Sequence, residues 1–207
     1  ITKTFLSAAS NVPGFKLEAT YSRNIKNAIE FGTPYNVTKF YDSLKALAED
    51  RTIDAVYIAS PNAFHCSQAI QMMKAGKHVL CEKSLASNKK EAEEMFRTAA
   101  ENNVILLEAM RPVFDPGMDA VKASLNKLGV IRRATLNYCQ YSSRYDSFLQ
   151  GHEHNIFSKE CSAGALMDIG TYCVHSLLCL FGKPQKVMGF SDMIRGDIDG
   201  AWPNIRT

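Results

Sequence analysis

No two cysteines of this chain fall in C-x-x-C spacing, although there are six: Cys66, Cys81, Cys139, Cys161, Cys173 and Cys179. Most sit in apolar runs. That favours reduced, buried thiols in a cytoplasmic protein over a disulfide frame or a zinc site. Long apolar runs are also missing. Leu177-Leu178-Cys179-Leu180-Phe181, the longest near the end, is far too short to span a bilayer, so no membrane is expected. The N-terminus shows no basic region followed by an apolar core, and hence no visible signal peptide. The net charge is +3, but no basic stripe or RNA-type aromatic motif accompanies it, which argues against nucleic acid. His152-x-His154 lacks the H-E-x-x-H spacing of a metalloprotease. Asp197-x-Asp199-Gly200 lacks the rest of an EF-hand loop and reads as a hairpin turn. No metal site is expected. Repeats and low-complexity segments are absent.

What is present is the composition of an ordinary globular protein: 207 residues, 46% apolar and 22% charged. Residues 1–11 read as the tail of a helix, ended by Pro13-Gly14. Lys16 to Tyr21 reads as a strand. Asn24 caps a short helix through Phe31, closed by Gly32. A short strand lies near Val37, and Asp42 or Ser43 caps a helix carrying Leu44, Leu47 and Ala48. Ile53 to Ala59 is a buried strand and stops at Ser60-Pro61-Asn62. A helix from about Ala63 ends at Gly76. Val79 to Cys81 is a further buried strand, Ser87 caps a helix over 89–102, and Val104 to Ala109 is another buried strand. Strand and helix in alternation predict a doubly wound, Rossmann-like parallel sheet with helices on both faces. After Arg111-Pro112 the texture changes. A helix is expected over 115–127, a long strand over 131–142, a polar loop at His152-Glu153-His154-Asn155, a helix over 164–181 and a strand over 185–195. Long strands with few crossovers predict a second, α+β domain with a mixed or antiparallel sheet. The domains divide as 1–110 and 111–207.

Three stretches carry chemistry. Lys77 to Ser84 runs a buried strand into Glu82-Lys83. Ligands of open α/β sheets collect just beyond the carboxyl ends of such strands. A solvated Glu–Lys pair explains these residues too. In Gly164 to His175, helical spacing puts Asp168, Tyr172 and His175 on one face, with Leu166, Ile169, Cys173 and Leu177 on another. A solvated face, or a buried Tyr with a satisfied hydroxyl, is the alternative. Ser60-Pro61-Asn62-Ala63-Phe64-His65 leads from a strand end into a helix, where polar cofactor groups bind, although a plain Asn cap explains it as well.

The segments I-A-S-P-N-x-x-H, A-G-K-H-V-L-C-E-K and G-A-L-M-D-I-G-x-Y occur in that order. Together they resemble the signatures of the Gfo/Idh/MocA (glucose–fructose oxidoreductase / inositol dehydrogenase) family. The chain is most similar to the branch of dimeric dihydrodiol dehydrogenase and NADP-dependent sugar dehydrogenases. The resemblance implies an NAD(P)-dependent dehydrogenase that moves a hydride between nicotinamide and a carbinol carbon of a sugar, polyol or dihydrodiol. It implies a homodimer or homotetramer. Lys83 would be the catalytic lysine, in an E-K-P motif whose proline is here Ser84. Asp168 and Tyr172 match the Asp-x-x-x-His/Tyr pair. Ser60, Pro61, Asn62 and His65 would lie along the cofactor, Glu82 at its ribose or nicotinamide, and Arg111 at the nicotinamide or substrate side. Asn155 and His175 join Lys83, Asp168 and Tyr172 as substrate-side candidates.

Ser22-Arg23 sits where the second strand of that fold meets the adenosine ribose. An Arg there accommodates the 2′-phosphate, so NADP is expected ahead of NAD, unless Arg23 is only a surface turn residue. Tyrosine, with a reference pKa of about 10, is a weak base at neutral pH. An ammonium beside it stabilises phenolate. The expected mechanism therefore has Tyr172 as general acid/base, Lys83 polarising the substrate oxygen and Asp168 orienting hydroxyls. A strand followed by G-x-G-x-x-G is not found, and the second domain stops early, so the chain is expected to be incomplete at both ends. The rival expectation is a non-catalytic relative that senses a nucleotide or sugar on the same fold.

Overall fold

A computed structural model describes residues 1–206. The chain separates into two compact units. One holds 1–60 and 64–107; the other holds 61–63 and 108 onward.

The first unit alternates strand and helix as the sequence predicts. Its elements are α1 (Thr2–Ala9), β1 (Ala19–Tyr21), α2 (Ile25–Gly32), β2 (Lys39–Tyr41), α3 (Leu44–Glu49), β3 (Ala55–Ile58), α4 (His65–Lys74), β4 (His78–Cys81), α5 (Lys89–Glu101) and β5 (Leu106–Glu108). β1 and β2 pair in parallel, Tyr21 beside Tyr41. β3 and β4 pair in parallel, Ile58 beside Cys81, with β5 on the far side of β4. In the doubly wound order 3-2-1-4-5-6, these two groups take positions 3-2 and 4-5-6. No described strand takes the central position, so the sheet is in two pieces.

Local chemistry sets the element ends. Asn24 accepts from Lys26 N at 3.0 Å and Ser43 from Ala46 N at 3.3 Å, each satisfying an orphan donor of its helix. α5 is capped one residue later than predicted. Asn88, not Ser87, accepts the Glu91 N–H at 3.0 Å, and the Glu91 carboxylate returns to Ser87 N at 2.9 Å. The arrangement resembles a capping box, with the returning carboxylate taking the N–H of the residue before the cap. Gly32 is required by proximity, because a Cβ there would lie 2.6 Å from Thr20 Oγ1. The core between sheet and helices contains Ile58, Val79, Cys81, Met72, Met73 and Met95. Burying each large side chain there contributes roughly 1.5–3 kcal/mol.

The second unit holds α6 (Pro116–Ser124), α7 (Tyr145–Leu149), a π-turn (Leu166–Gly170) running into α8 (Thr171–Phe181), and the antiparallel pair β6 (Met188–Ile194) and β7 (Ile198–Arg206). Its aromatic centre joins Tyr145, Phe148 and Phe157, with the Arg195 guanidinium 4.5 Å from the Phe148 ring centroid.

Several expectations are corrected. Residues 131–142 are not a strand, since β-propensity needs a hydrogen-bonded neighbour and no described strand pairs with them. The predicted first strand over 16–21 keeps only its last three residues, and the strand near Val37 begins at Lys39. The helix over 164–181 is a π-turn followed by an α-helix. The hairpin turn is Arg195-Gly196-Asp197, and Asp199 belongs to β7. All six cysteines are free, but only Cys66 and Cys81 are buried, and Cys139 is exposed. Residues 159–181 are also, by length and mean hydropathy of 1.4, apolar enough to cross a membrane. The left-handed turns at Ser162 (φ 52°) and Gly164 (φ 108°) break that stretch. α8 itself has 11 residues, well short of the roughly 20 a span requires.

Candidate functional site

In the first unit the residues that the sequence assigns to the cofactor lie beyond the carboxyl ends of β1, β3 and β4. Ser22 continues β1, its N–H donating to Tyr41 O at 3.0 Å, and its hydroxyl accepts from Asn24 N at 3.3 Å. Arg23 is exposed, and its guanidinium lies 5.5 Å from the Phe64 ring centroid. That stacking holds a cation at the end of β1. Ser60 follows β3 and donates to Gln68 Oε1 at 2.8 Å. His65, the first residue of α4, is completely buried, and its two ring nitrogens lie 2.8 Å from Ser84 O and 2.9 Å from Ser60 O. Its polar atoms therefore face the two loops.

Glu82 continues the ladder past β4, its N–H donating to Ile58 O at 2.9 Å. Its carboxylate accepts a short hydrogen bond from the Tyr57 hydroxyl. Burial first, then that carboxylate, hold the Tyr57 phenol well above the usual tyrosine range. The phenol thus stays a donor. Phe5 of α1 stacks on the Tyr57 ring at 4.1 Å between centroids. Lys83 is half-buried, and the Lys83–Ser84 peptide bond is cis.

In the second unit Pro61 is half-buried, and Asn62 donates to Ser162 O at 2.9 Å across 100 residues of chain. Arg111 is exposed and opens a short 3-10 turn. An open cleft of about 140 Å³ is lined by Gln140, Ser142, Ser143, Arg144, Asp168 and Asp199 among others. Hydroxyls, an amide, a guanidinium and carboxylates suit a polyhydroxylated ligand. Asp168 lies in the π-turn, a feature enriched at functional sites. Its amide donates to Gly164 O at 2.9 Å. Asp199 of β7 caps the turn, accepting from Leu166 N at 2.7 Å and from the Trp202 indole. Tyr172, His175 and Asn155 do not line this cleft. The Tyr172 ring lies 5.6 Å from that of Tyr138. His175 Nε2 is buried with no hydrogen-bond partner among the described residues. Asn155 is exposed at the start of a 3-10 turn.

Sequence reasoning missed Tyr57, Arg144 and Asp199. Tyr57 carried a usable signal, because a tyrosine inside a buried strand needs a partner for its hydroxyl. Arg144 and Asp199 carried none.

Residues 1–110 match the family model described as an oxidoreductase family with an NAD-binding Rossmann fold, and residues 122–201 match a GFO/IDH/MocA C-terminal domain. The chain is 46% identical over 200 residues to scyllo-inositol 2-dehydrogenase (NADP(+)) IolU of Bacillus subtilis, covering 97% of this chain and 61% of that protein. It is 30% identical to mouse trans-1,2-dihydrobenzene-1,2-diol dehydrogenase, covering 90% and 56%. Among solved structures it resembles the 3-ketoreductase KijD10 of Actinomadura kijaniata in complex with NADP and TDP-benzene. There the TM-score is 0.74 at 26% identity, covering 88% of this chain and 55% of that one. The chain thus spans less than two thirds of the length of each of these relatives.

Proposed function

This chain belongs to the Gfo/Idh/MocA oxidoreductase family, and from that premise we propose that the intact protein is an NADP-dependent dehydrogenase of a polyol, sugar or diol. The observation that carries the reading is the pairing of β3 with β4. It brings Ser60 and Glu82-Lys83 out at one carboxyl edge, where ligands of such sheets bind. The residues at the adenosine end fit the cofactor. Arg23, a stacked cation with no acidic residue in its place, suits a 2′-phosphate. When bound, the nicotinamide supplies or accepts the hydride. The names of the relatives support a secondary alcohol or ketone as substrate.

The proposed roles follow from side-chain chemistry. Glu82, oriented by Tyr57, fixes the cofactor ribose or nicotinamide. Lys83 places an ammonium at the reacting oxygen, and Tyr172 exchanges the proton there. Asp168 and Arg144 orient substrate hydroxyls in the polar cleft of the second unit. Asn62, His175 and Arg111 are proposed as supporting contacts. We assign residues 1–110 to the cofactor and 111–207 to the substrate and self-association, giving a homodimer or homotetramer in the cytoplasm. Burial raises the thiols of Cys66 and Cys173, which keeps them protonated and unreactive.

The test is the change in nicotinamide absorbance when the intact protein meets NADP and a panel of inositols, sugars and dihydrodiols. Turnover with NADP supports the reading. Cofactor binding with no turnover on any member would favour a sensor built on the same fold.

A further inference from the structure

We infer that His65 is a positioning residue, protonated on both ring nitrogens, that staples the loop after β3 to the loop after β4 and so fixes the Glu82-Lys83 turn. The argument is a count of donors. Nδ1 lies 2.8 Å from the carbonyl oxygen of Ser84, and Nε2 lies 2.9 Å from that of Ser60. Backbone carbonyls only accept. A neutral imidazole donates from one nitrogen and presents a lone pair on the other. One of the two contacts would then set lone pair against lone pair at hydrogen-bond distance. The ring is 0% exposed, so no water relieves that repulsion. A ring with two N–H groups satisfies both carbonyls.

The placement gives the staple its purpose. Ile58 and Cys81 are the last paired residues of β3 and β4, and the Glu82 N–H adds one more rung. Beyond that rung the two strands give way to loops. His65 bridges them, from Ser60 two residues past β3 to Ser84 three residues past β4. Ser84 directly follows Lys83, so a fixed Ser84 carbonyl restricts where the lysine can point. The ring starts α4, whose Ala69, Met72 and Met73 are locked in the core, and this anchors it against the sheet.

A buried cation must be compensated. Two charge-assisted hydrogen bonds supply part of that compensation. The β4 loop carries Glu82 and Lys83, and α5 carries several charged groups, of which Glu91 and Glu94 act on the thiol of Cys66 beside His65. The Glu91 carboxylate accepts from Ser87 N at 2.9 Å, and its carbonyl accepts from the Cys66 thiol at 3.8 Å. The link to Lys83 rests on the oxidoreductase reading; the protonation state does not.

The experiment is a two-bond proton–nitrogen correlation spectrum of the intact protein labelled with ¹⁵N-histidine, at neutral pH. His65→Gln identifies the signal by its loss, and His65→Asn does so if the first variant fails to fold. Both ring nitrogens should appear as N–H type. A ring with one unprotonated nitrogen overturns the proposal. Kinetics form the second arm. His65→Gln keeps one donating side only, so kcat with the best substrate should fall about 10- to 100-fold, as expected when a reacting group is misplaced by about 1 Å. An unchanged kcat in a folded variant also overturns it. If wild-type protein turns over no substrate, the oxidoreductase reading fails, and the spectrum still decides the state of His65.

Discussion

Gly164→Ala tests how β7 holds the turn that carries Asp168. Gly164 has φ of 108°, a region in which alanine is strained by about 1–3 kcal/mol. A Cβ at this position would lie 1.9 Å from Asp199 Oδ1, far inside contact distance. Asp199 must then swing away and give up its hydrogen bonds to Leu166 N and the Trp202 indole. Hydrogen bonds to a charged group contribute about 1.5–3 kcal/mol each, partly recovered from water once the carboxylate moves. The total expected loss is about 3–5 kcal/mol, read by urea or thermal unfolding of the intact protein. Asp199→Ala removes the obstacle, so the double variant should be less destabilised than the sum of the singles by about 1–2 kcal/mol. A loss below about 1 kcal/mol for Gly164→Ala, or strict additivity in the cycle, would refute the reasoning.

Met95→Ala empties a fully buried site in the first unit and should destabilise by about 2–5 kcal/mol in denaturant titration. Asn88→Ala removes the cap of α5 and should lose about 1 kcal/mol in the same assay. Thr52 N–H first, then the Tyr41 hydroxyl, hold the Asp50 carboxyl far below the usual range. Its folded value lies under the unfolded one near 3.9. The stabilisation is therefore complete above about pH 4 and fades as pH falls through the lowered value. Acid unfolding below about pH 4 should accordingly be steeper for wild type than for Asp50→Asn. Arg23→Asp should weaken NADP relative to NAD by about 10- to 150-fold, the equivalent of one or two charge-assisted contacts, measured by the ratio of KM values.

The first unit was largely legible because its signals are local. Apolar runs such as Ile53 to Ala59 mark strands, although only Ile58 of β3 is buried and Ile105 and Leu107 of the run over 104–109 are exposed, and Asn24, Ser43 and Gly76 punctuate the helices near the ends that the structure gives them. The second unit was less legible because its structure depends on partners distant in sequence. Tyr138 and its neighbours have strand propensity, yet no described strand pairs with them. The π-turn at Asp168 has no periodicity of its own, and its cap, Asp199, comes from 33 residues away. In the candidate site, motif spacing pointed to Lys83, Asp168 and His65. His65 is completely buried between the loops after β3 and β4, a placement that motif spacing alone does not give. The Tyr57–Glu82 bond links residues 25 apart, and strand pairing alone brings them together.

The most direct measurement is turnover and NADP affinity of the intact protein beside Tyr172→Phe, with the best substrate from the panel. The account predicts that the variant binds NADP as wild type does and loses most of its turnover. Turnover equal to wild type would contradict it and remove the phenol from the reaction.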